Sequence, residues 1–292
     1  YVSPPSNCRS ILSSSQGKQG ATPTSMSVND ADQIRVATFG WWERITPDEH
    51  NFRALMNTLS SLHIHVCIVT GLPLTANQWL HGDMGYAWRG PEHADGSFGR
   101  AGFLVAMPWV HHCTMQPGSH DETPRRSVLV LQDRYVLLAV YSHWVGRVDD
   151  LSHQAFLLRT AAVFQDLQQR YGPDSAWWCG DMNLRGVAPG TSSTAAAGTR
   201  HHKLSMYFIS LLQQVGLHAH ASPKTHDRGG ALDIHITSAC LASQVQGQGS
   251  EVVIATVDKP LISDHRVSHV TTPWSWLPHT QQLDDQTQAS RR

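Results

Sequence analysis

Apolar positions along this chain follow two periods. Over Ile34-Arg35-Val36-Ala37-Thr38-Phe39 apolar and polar residues alternate, as on a half-buried strand. The spacing then lengthens: Phe52, Leu55, Met56, Leu59 and Leu62 fall on one face of a helix that Pro47-Asp48-Glu49 opens. Ile64 to Thr70 is a continuous apolar run, expected to be a strand buried on both sides. Strand, helix and strand in this order make the first unit of a layered α/β domain.

Further strand-like runs follow at Gly102–Met107, Ser127–Leu131 and Tyr135–Tyr141, with Gln132-Asp133-Arg134 as a hairpin turn between the last two. Ser152 is expected to cap a helix from His153 to Tyr171, where Phe156, Ala161, Phe164 and Leu167 recur at helical spacing. Trp177-Trp178-Cys179 reads as a short apolar strand, Pro189–Thr199 as a small polar loop, and His202–Val215 as a helix leading through Gly216 into Leu217–Ala219. Strands close the pattern at Leu232–Thr237, Val252–Val257 and Val267–Val270. Residues 1–30 are rich in Ser, Pro, Gly and Gln without apolar period, and the chain beyond Trp274 is rich in Gln and Asp. The expectation is one folded domain over 31–274, between a disordered lead-in (1–30) and a disordered tail or linker (275–292). No internal sequence repeat makes two halves equivalent.

Hydrophobic residues make up 40% of the 292, enough for a sizeable core. Charged residues are 15%, against about 25% in ordinary soluble proteins, and the formal net charge is −1, so no global basic bias points to nucleic acid. The 19 histidines make the surface more positive below neutral pH. Cys8, Cys67, Cys113, Cys179 and Cys240 form no Cys-x-x-Cys pair, which suggests free thiols in a reducing, intracellular compartment, nuclear or cytoplasmic. No apolar stretch is long enough to span a membrane, so no membrane partner is expected. The start at Tyr rather than Met suggests a piece of a longer reading frame.

Three short segments carry the candidate chemistry. Gly180-Asp181-Met182-Asn183 ends an apolar strand, and residues two apart on a strand face one side, so Asp181 and Asn183 can point into one site. Their oxygens suit Mg²⁺ or Mn²⁺; an ordinary Asx turn gives the same sequence. Asp233 lies inside the run Gly229-Gly230-Ala231-Leu232-Asp233-Ile234-His235-Ile236-Thr237, where a carboxylate needs a partner. Ile262-Ser263-Asp264-His265-Arg266 supplies one in His265, just before the last strand; a helix cap or turn with a solvated His is the alternative there.

Gly-Asp-x-Asn, then Leu-Asp inside an alternating strand, then Ser-Asp-His before a final strand resemble the endonuclease/exonuclease/phosphatase superfamily. Within it the chain is most similar to apurinic/apyrimidinic endonucleases and the endonuclease domains of non-LTR retrotransposons. The resemblance implies an α/β four-layer α/β/β/α sandwich of two packed mixed sheets, DNase I-like. It implies a Mg²⁺- (or Mn²⁺-) dependent phosphodiester hydrolase nicking DNA to leave a 3′-hydroxyl, a monomer fused to a reverse transcriptase in a longer chain. By resemblance Asp181 activates the attacking water and contacts metal, Asn183 orients water and phosphate, His265 binds phosphate or moves a proton, Asp233 orients it, and Asp264 sits beside the metal. Tyr141 at the end of its strand would touch the phosphate, and Arg147, Thr225 and Arg228 would meet substrate.

Two ligands that the resemblance implies are missing. The first strand should end in Asn, but Phe39 is followed by Gly40; the second should end in Gln-Glu, but Val69 is followed by Thr70-Gly71. Glu43 lies a few residues beyond the first strand, but a solvated loop residue is its simpler reading; if the lost Glu is what limits activity, a Glu restored at 70 or 71 is expected to raise Mg²⁺-dependent activity. A degenerate site is one reading of these two gaps. One alternative is a catalytically silent domain of the same fold that binds nucleic acid or a protein; another is a phosphoesterase for a small substrate. A metal-binding role for His111-His112 and His201-His202 is disfavoured, since adjacent residues point apart.

Overall fold

The computed structural model describes residues 33–41, 49–71, 85–90, 100–116, 125–185, 187, 197–220, 225–226, 232–245, 251–253 and 265–276. Strand β1 (Gln33–Gly40) runs into helix α1 (Glu49–Ser61) and returns as β2 (Val66–Thr70), parallel to β1 with Gly40 beside Thr70. The crossover works because Phe52, Leu55, Met56 and Leu59, spaced for one helix face, bury against Ala37, Phe39, Cys67 and Val69. Strands β3 (Tyr86–Arg89), β4 (Ala101–Ala106), β11 (Glu251–Val253) and β12 (Val267–Ser275) complete a six-stranded sheet in the order β11-β12-β1-β2-β4-β3.

The second sheet repeats this plan. Strands β6 (Arg126–Leu131) and β7 (Tyr135–Tyr141) form a hairpin, and α2 (Asp150–Tyr171) carries the chain to β8 (Ala176–Asp181), parallel to β7. With β5 (Cys113–Met115), β9 (Leu217–Ala219) and β10 (Asp233–Ser238) the order is β5-β6-β7-β8-β10-β9. Helix α3 (Arg200–Gln214) lies beside α2, and α4 (Ala239–Val245) follows β10. In each sheet a parallel pair joined by one helix is flanked on both sides by antiparallel strands. The two halves are thus equivalent in topology, although no sequence repeat shows it.

Side-chain alternation sorts the strands into faces. Ile34, Val36, Val66, Ile68, Phe103 and Val105 of the first sheet meet Leu129, Leu137, Ala139, Trp177 and Cys179 of the second in a core between the sheets. Trp178, Val140, Ile234 and Ile236 turn outward to Phe156, Phe164, Leu204 and Phe208 of α2 and α3. The result is a four-layer α/β/β/α sandwich of two mixed sheets, as the sequence led us to expect.

Local chemistry shifts some boundaries. The hairpin turn holds Gln132 and Asp133 at φ +53° and +54°, and the Arg134 amide closes it by donating to the Leu131 carbonyl. The cap of α2 is Asp149 rather than Ser152: its carboxylate accepts from the Ser152 amide (2.8 Å) and hydroxyl (2.6 Å), so the helix starts earlier than the sequence suggests. The short strands β3 and β5 have no clear alternation and were not foreseen. Cys67 and Cys179 are buried free thiols as expected, whereas free Cys240 is exposed. The proposed lead-in, Glu43 and residues 277–292 lie outside the described residues, as do Cys8, most of the 189–199 loop and the end of the Val252–Val257 strand. Among the described residues no helix is long and apolar enough to cross a membrane.

Candidate active site

The carboxyl ends of the two parallel pairs meet at one edge of the sandwich. Val36 and Ile68 face the inter-sheet core, so by alternation Thr38 and Gly40 on β1, and Thr70 on β2, face it too. Across from them Tyr141 and Asp181, neighbours in register, end β7 and β8. Asp233 opens β10 directly opposite Asp181, and since Ile234 and Ile236 face the helices, Asp233 and His235 turn inward. Ligand clefts in α/β proteins commonly lie at such strand ends.

His265 closes this edge. Its Nδ1 lies 2.8 Å from Asp233 Oδ2, and its Nε2 lies 3.9 Å from Asp181 Oδ2. The Asp233 side chain is fully buried, that of Asp181 nearly so, and His265 keeps 10% of its side chain exposed. A carboxylate accepts only, so Nδ1 carries the proton and Nε2 is the nitrogen turned toward Asp181. Burial of the Asp233 carboxylate is offset at Oδ2 by His265, while its Oδ1 is buried with no hydrogen-bond partner among the described residues; the Thr225 hydroxyl fixes the start of β10 by accepting from the Asp233 amide (3.2 Å) and the Leu232 amide (2.9 Å). The edge-on ring of His226, with centroids 4.9 Å apart, supports the imidazole from the side.

The Gly-Asp-x-Asn segment forms an Asx turn: β8 ends at Asp181, so Asn183 is placed by the turn and not by the alternation of a continuing strand. Asp181 Oδ1 accepts from the Asn183 amide at 2.7 Å, which leaves Oδ2 facing His265. Asn183 sits in the left-handed region (φ +52°), which Asn tolerates, and its side-chain amide donates to the Ser142 carbonyl at 3.0 Å. The Ser142 hydroxyl in turn contacts His153 Nε2 of α2 at 3.0 Å, and the Ser142 amide donates to the Asp181 carbonyl. The start of the loop after β7 is thereby tied to the acidic strand end.

Arg125 belongs to this edge and was not singled out from the sequence. Its guanidinium carbon lies 5.2 Å from the Tyr141 ring centre, and its Nη1 reaches the Tyr141 and Ser142 carbonyls at 3.4 and 3.3 Å. The signal was present in the hairpin register: Arg126 pairs with Val140, so Arg125 falls opposite Tyr141.

The wall from the first sheet offers no charge. A β-carbon on Gly40 would lie 2.4 Å from His265 Nδ1, so the ring fills the space of any side chain there. Thr70 is fully buried, and Gly71, at φ +75°, would place a β-carbon 2.6 Å from the Trp41 carbonyl oxygen. Among the described residues no group of three or more His, Cys, Asp or Glu is placed to hold a metal. Asp181 brings one carboxylate, with Asn183 as a neutral neighbour. That donor set fits a Mg²⁺ or Mn²⁺ ion held mainly by substrate phosphate and water, not one caged by protein.

The remaining expected residues separate. Thr225 is fully buried and bonded to β10 backbone, so the expected contact with DNA is corrected to a structural role. Arg147 is exposed in the turn after β7, where its amide donates to the Trp144 carbonyl. Asp264 and Arg228 lie outside the described residues.

No protein-family model matches the chain, and no curated protein matches it by sequence. Solved structures do. The endonuclease domain of TRAS1, a telomere-specific non-LTR retrotransposon, superposes with a TM-score of 0.56 at 15% identity, over 82% of this chain and 98% of that one. A 3′-5′ exonuclease from Neisseria meningitidis gives 0.59 at 14% identity, over 82% and 100%. An AP endonuclease from Leishmania major gives 0.55 at 17%, over 86% and 90%. At these identities what is shared is the fold.

Proposed function

From a chain with the DNase I-like fold of the endonuclease/exonuclease/phosphatase superfamily, we propose a hydrolase of nucleic-acid phosphodiester bonds, acting on DNA at the edge formed by Asp181, Asn183, Asp233 and His265. The observation that carries this reading is the chain of contacts from buried Asp233 through His265 to Asp181 at the ends of the central strands. Asp233 fixes the ring and its tautomer. A water held between His265 Nε2 and Asp181 Oδ2, about 2.8 Å from each, has an acceptor for its proton on either side. As its oxygen bonds to phosphorus, the P–O3′ bond breaks and the leaving oxygen takes a proton, giving a 3′-hydroxyl. Arg125 and Tyr141 lie where a nonbridging phosphate oxygen would sit.

Two carboxylates around one imidazole leave this centre without surplus positive charge. A divalent cation on Asp181, when bound, supplies that charge to the phosphate. The retrotransposon type rests on the resemblance of the Gly229–Thr237 segment to such endonucleases, beside a fold shared with the TRAS1 domain; a reverse transcriptase in the same longer chain is part of that proposal. The bare wall of Gly40, Thr70 and Gly71 favours a second reading, a silent domain that binds DNA in the same cleft.

Nicking of supercoiled plasmid with Mg²⁺, Mn²⁺ or EDTA separates the two. Nicking by the wild-type chain that Asp181→Ala and His265→Ala both abolish, with folding intact, supports the hydrolase. DNA binding without nicking under every condition supports the silent domain.

A further inference from the structure

Trp144 is 57% exposed, whereas the other described tryptophans are buried or half-buried. Leaving an indole in water forgoes a large apolar burial, and this one stands beside the candidate site. Two residues separate it from Tyr141, which pairs with Asp181, and its Cα lies within about 7.6 Å of that of Ser142, two peptide steps away. The Ser142 carbonyl is the one that Asn183 holds.

The turn that presents Trp144 is fixed at several points. The Trp144 carbonyl accepts from the Arg147 amide, and Val145 bridges to Val148. Arg200 of α3 donates to the Val148 carbonyl and pairs with Asp150. On the inner side His143 packs edge-on against Phe156, with centroids 5.2 Å apart, and Ser142 is buried against His153. The backbone thus faces inward at 142 and 143 and outward at Trp144, with the exposed Arg147 at the other end of the same turn and Arg125 behind Tyr141.

We propose that Trp144 is a base-stacking subsite: its indole takes the nucleobase next to the phosphodiester at Asp181 and His265, while Arg147 faces the adjoining phosphate. This rests on the nucleic-acid reading above. A flat aromatic surface in the same turn as an exposed arginine suits a stacked base on a charged backbone, and stacking on an exposed ring needs a base that is unpaired or splayed out. The preferred substrate is therefore single-stranded or locally opened DNA.

The test is fluorescence anisotropy with two labelled probes, a single-stranded deoxyoligonucleotide and a phosphodiester strand of equal length whose sugars carry no base. The wild-type chain should prefer the base-bearing probe by about 10-fold. Trp144→Ala should abolish that preference with an unchanged melting temperature, and Trp144→Phe should keep most of it. If the wild type nicks DNA, Trp144→Ala should raise KM and leave kcat near its original value. An unchanged preference in Trp144→Ala overturns the proposal. Equal binding of both probes by the wild type overturns it while leaving the nucleic-acid reading standing; no binding of either probe overturns both.

Discussion

The imidazole of His265 rests on the α-carbon of Gly40, so close that a β-carbon there would fall 2.4 Å from Nδ1 and 2.6 Å from Cε1. A side chain at the end of β1 and the ring of His265 compete for one volume. A glycine at this strand end is therefore part of how this chain seats its histidine. We expect Gly40→Ala to push the ring off Asp233 and to lower any nicking about as far as His265→Ala, on the order of 10²- to 10⁴-fold. Nicking assays beside circular dichroism check it, and a fully active, folded Gly40→Ala chain would show that the ring has room to spare.

Thr225 distinguishes a structural from a substrate role. Its hydroxyl accepts from two buried amides at the start of β10, so Thr225→Val leaves both donors unpaired. Each costs about 1–3 kcal/mol, which urea denaturation should report as a lower midpoint with an unchanged slope. A residue touching the DNA backbone would instead leave stability intact and alter the salt dependence of binding.

Restoring a carboxylate to the first sheet is harder than the sequence suggests. Gly71→Glu forces a β-carbon to 2.6 Å from the Trp41 carbonyl oxygen at a left-handed φ of +75°, and Thr70→Glu puts a carboxylate where Thr70 is fully buried. Both variants should lose stability by a few kcal/mol, on the order expected for strain or a buried unpaired charge, without gaining Mg²⁺-dependent nicking. Plasmid assays across a Mg²⁺ titration, paired with thermal melts, decide this; a stable Gly71→Glu chain with stronger Mg²⁺ dependence would overturn it.

How much of this was legible in the sequence follows from which forces were local. Alternation marked β1, continuous apolar runs marked β2, β7 and β8 because both faces of those strands are packed, and helical spacing marked α1 and α2 because one face of each is packed. Asp181, Asn183, Asp233 and His265 were legible because each lies where an apolar run meets a polar residue that burial would penalise. Arg125 was hidden because its position depends on a hairpin register counted from the turn at Gln132 and Asp133. Thr225 was misread because a hydroxyl that accepts from main-chain amides looks, in sequence, like one that meets a phosphate. The seat of His265 on Gly40 joins residues far apart in the chain, and nothing local encodes it.

Buried histidines should make the fold acid-sensitive. His235, fully buried with its Nδ1 accepting from the Trp177 indole at 3.1 Å, is pushed down to about 3, first by burial and then by the charges of His220 and His269. His153, behind Ser142, is pushed down to about 4, mainly by burial and then by His143 and Arg200. His220 behaves likewise, at about 4. A folded-state pKa below the ordinary value of about 6.5 means that the unfolded chain takes up these protons first as pH falls. The stability due to these neutral rings is fully present above about 6.5 and is lost as pH drops toward the folded values, at up to about 1.4 kcal/mol per pH unit for each histidine. Urea midpoints measured from pH 7 to pH 4.5 should fall steeply. His235→Gln, which cannot charge, should be less stable at pH 7 yet flatter across this range by about one proton. If the variant and the wild type decline in parallel, His235 is not among the groups that drive acid unfolding.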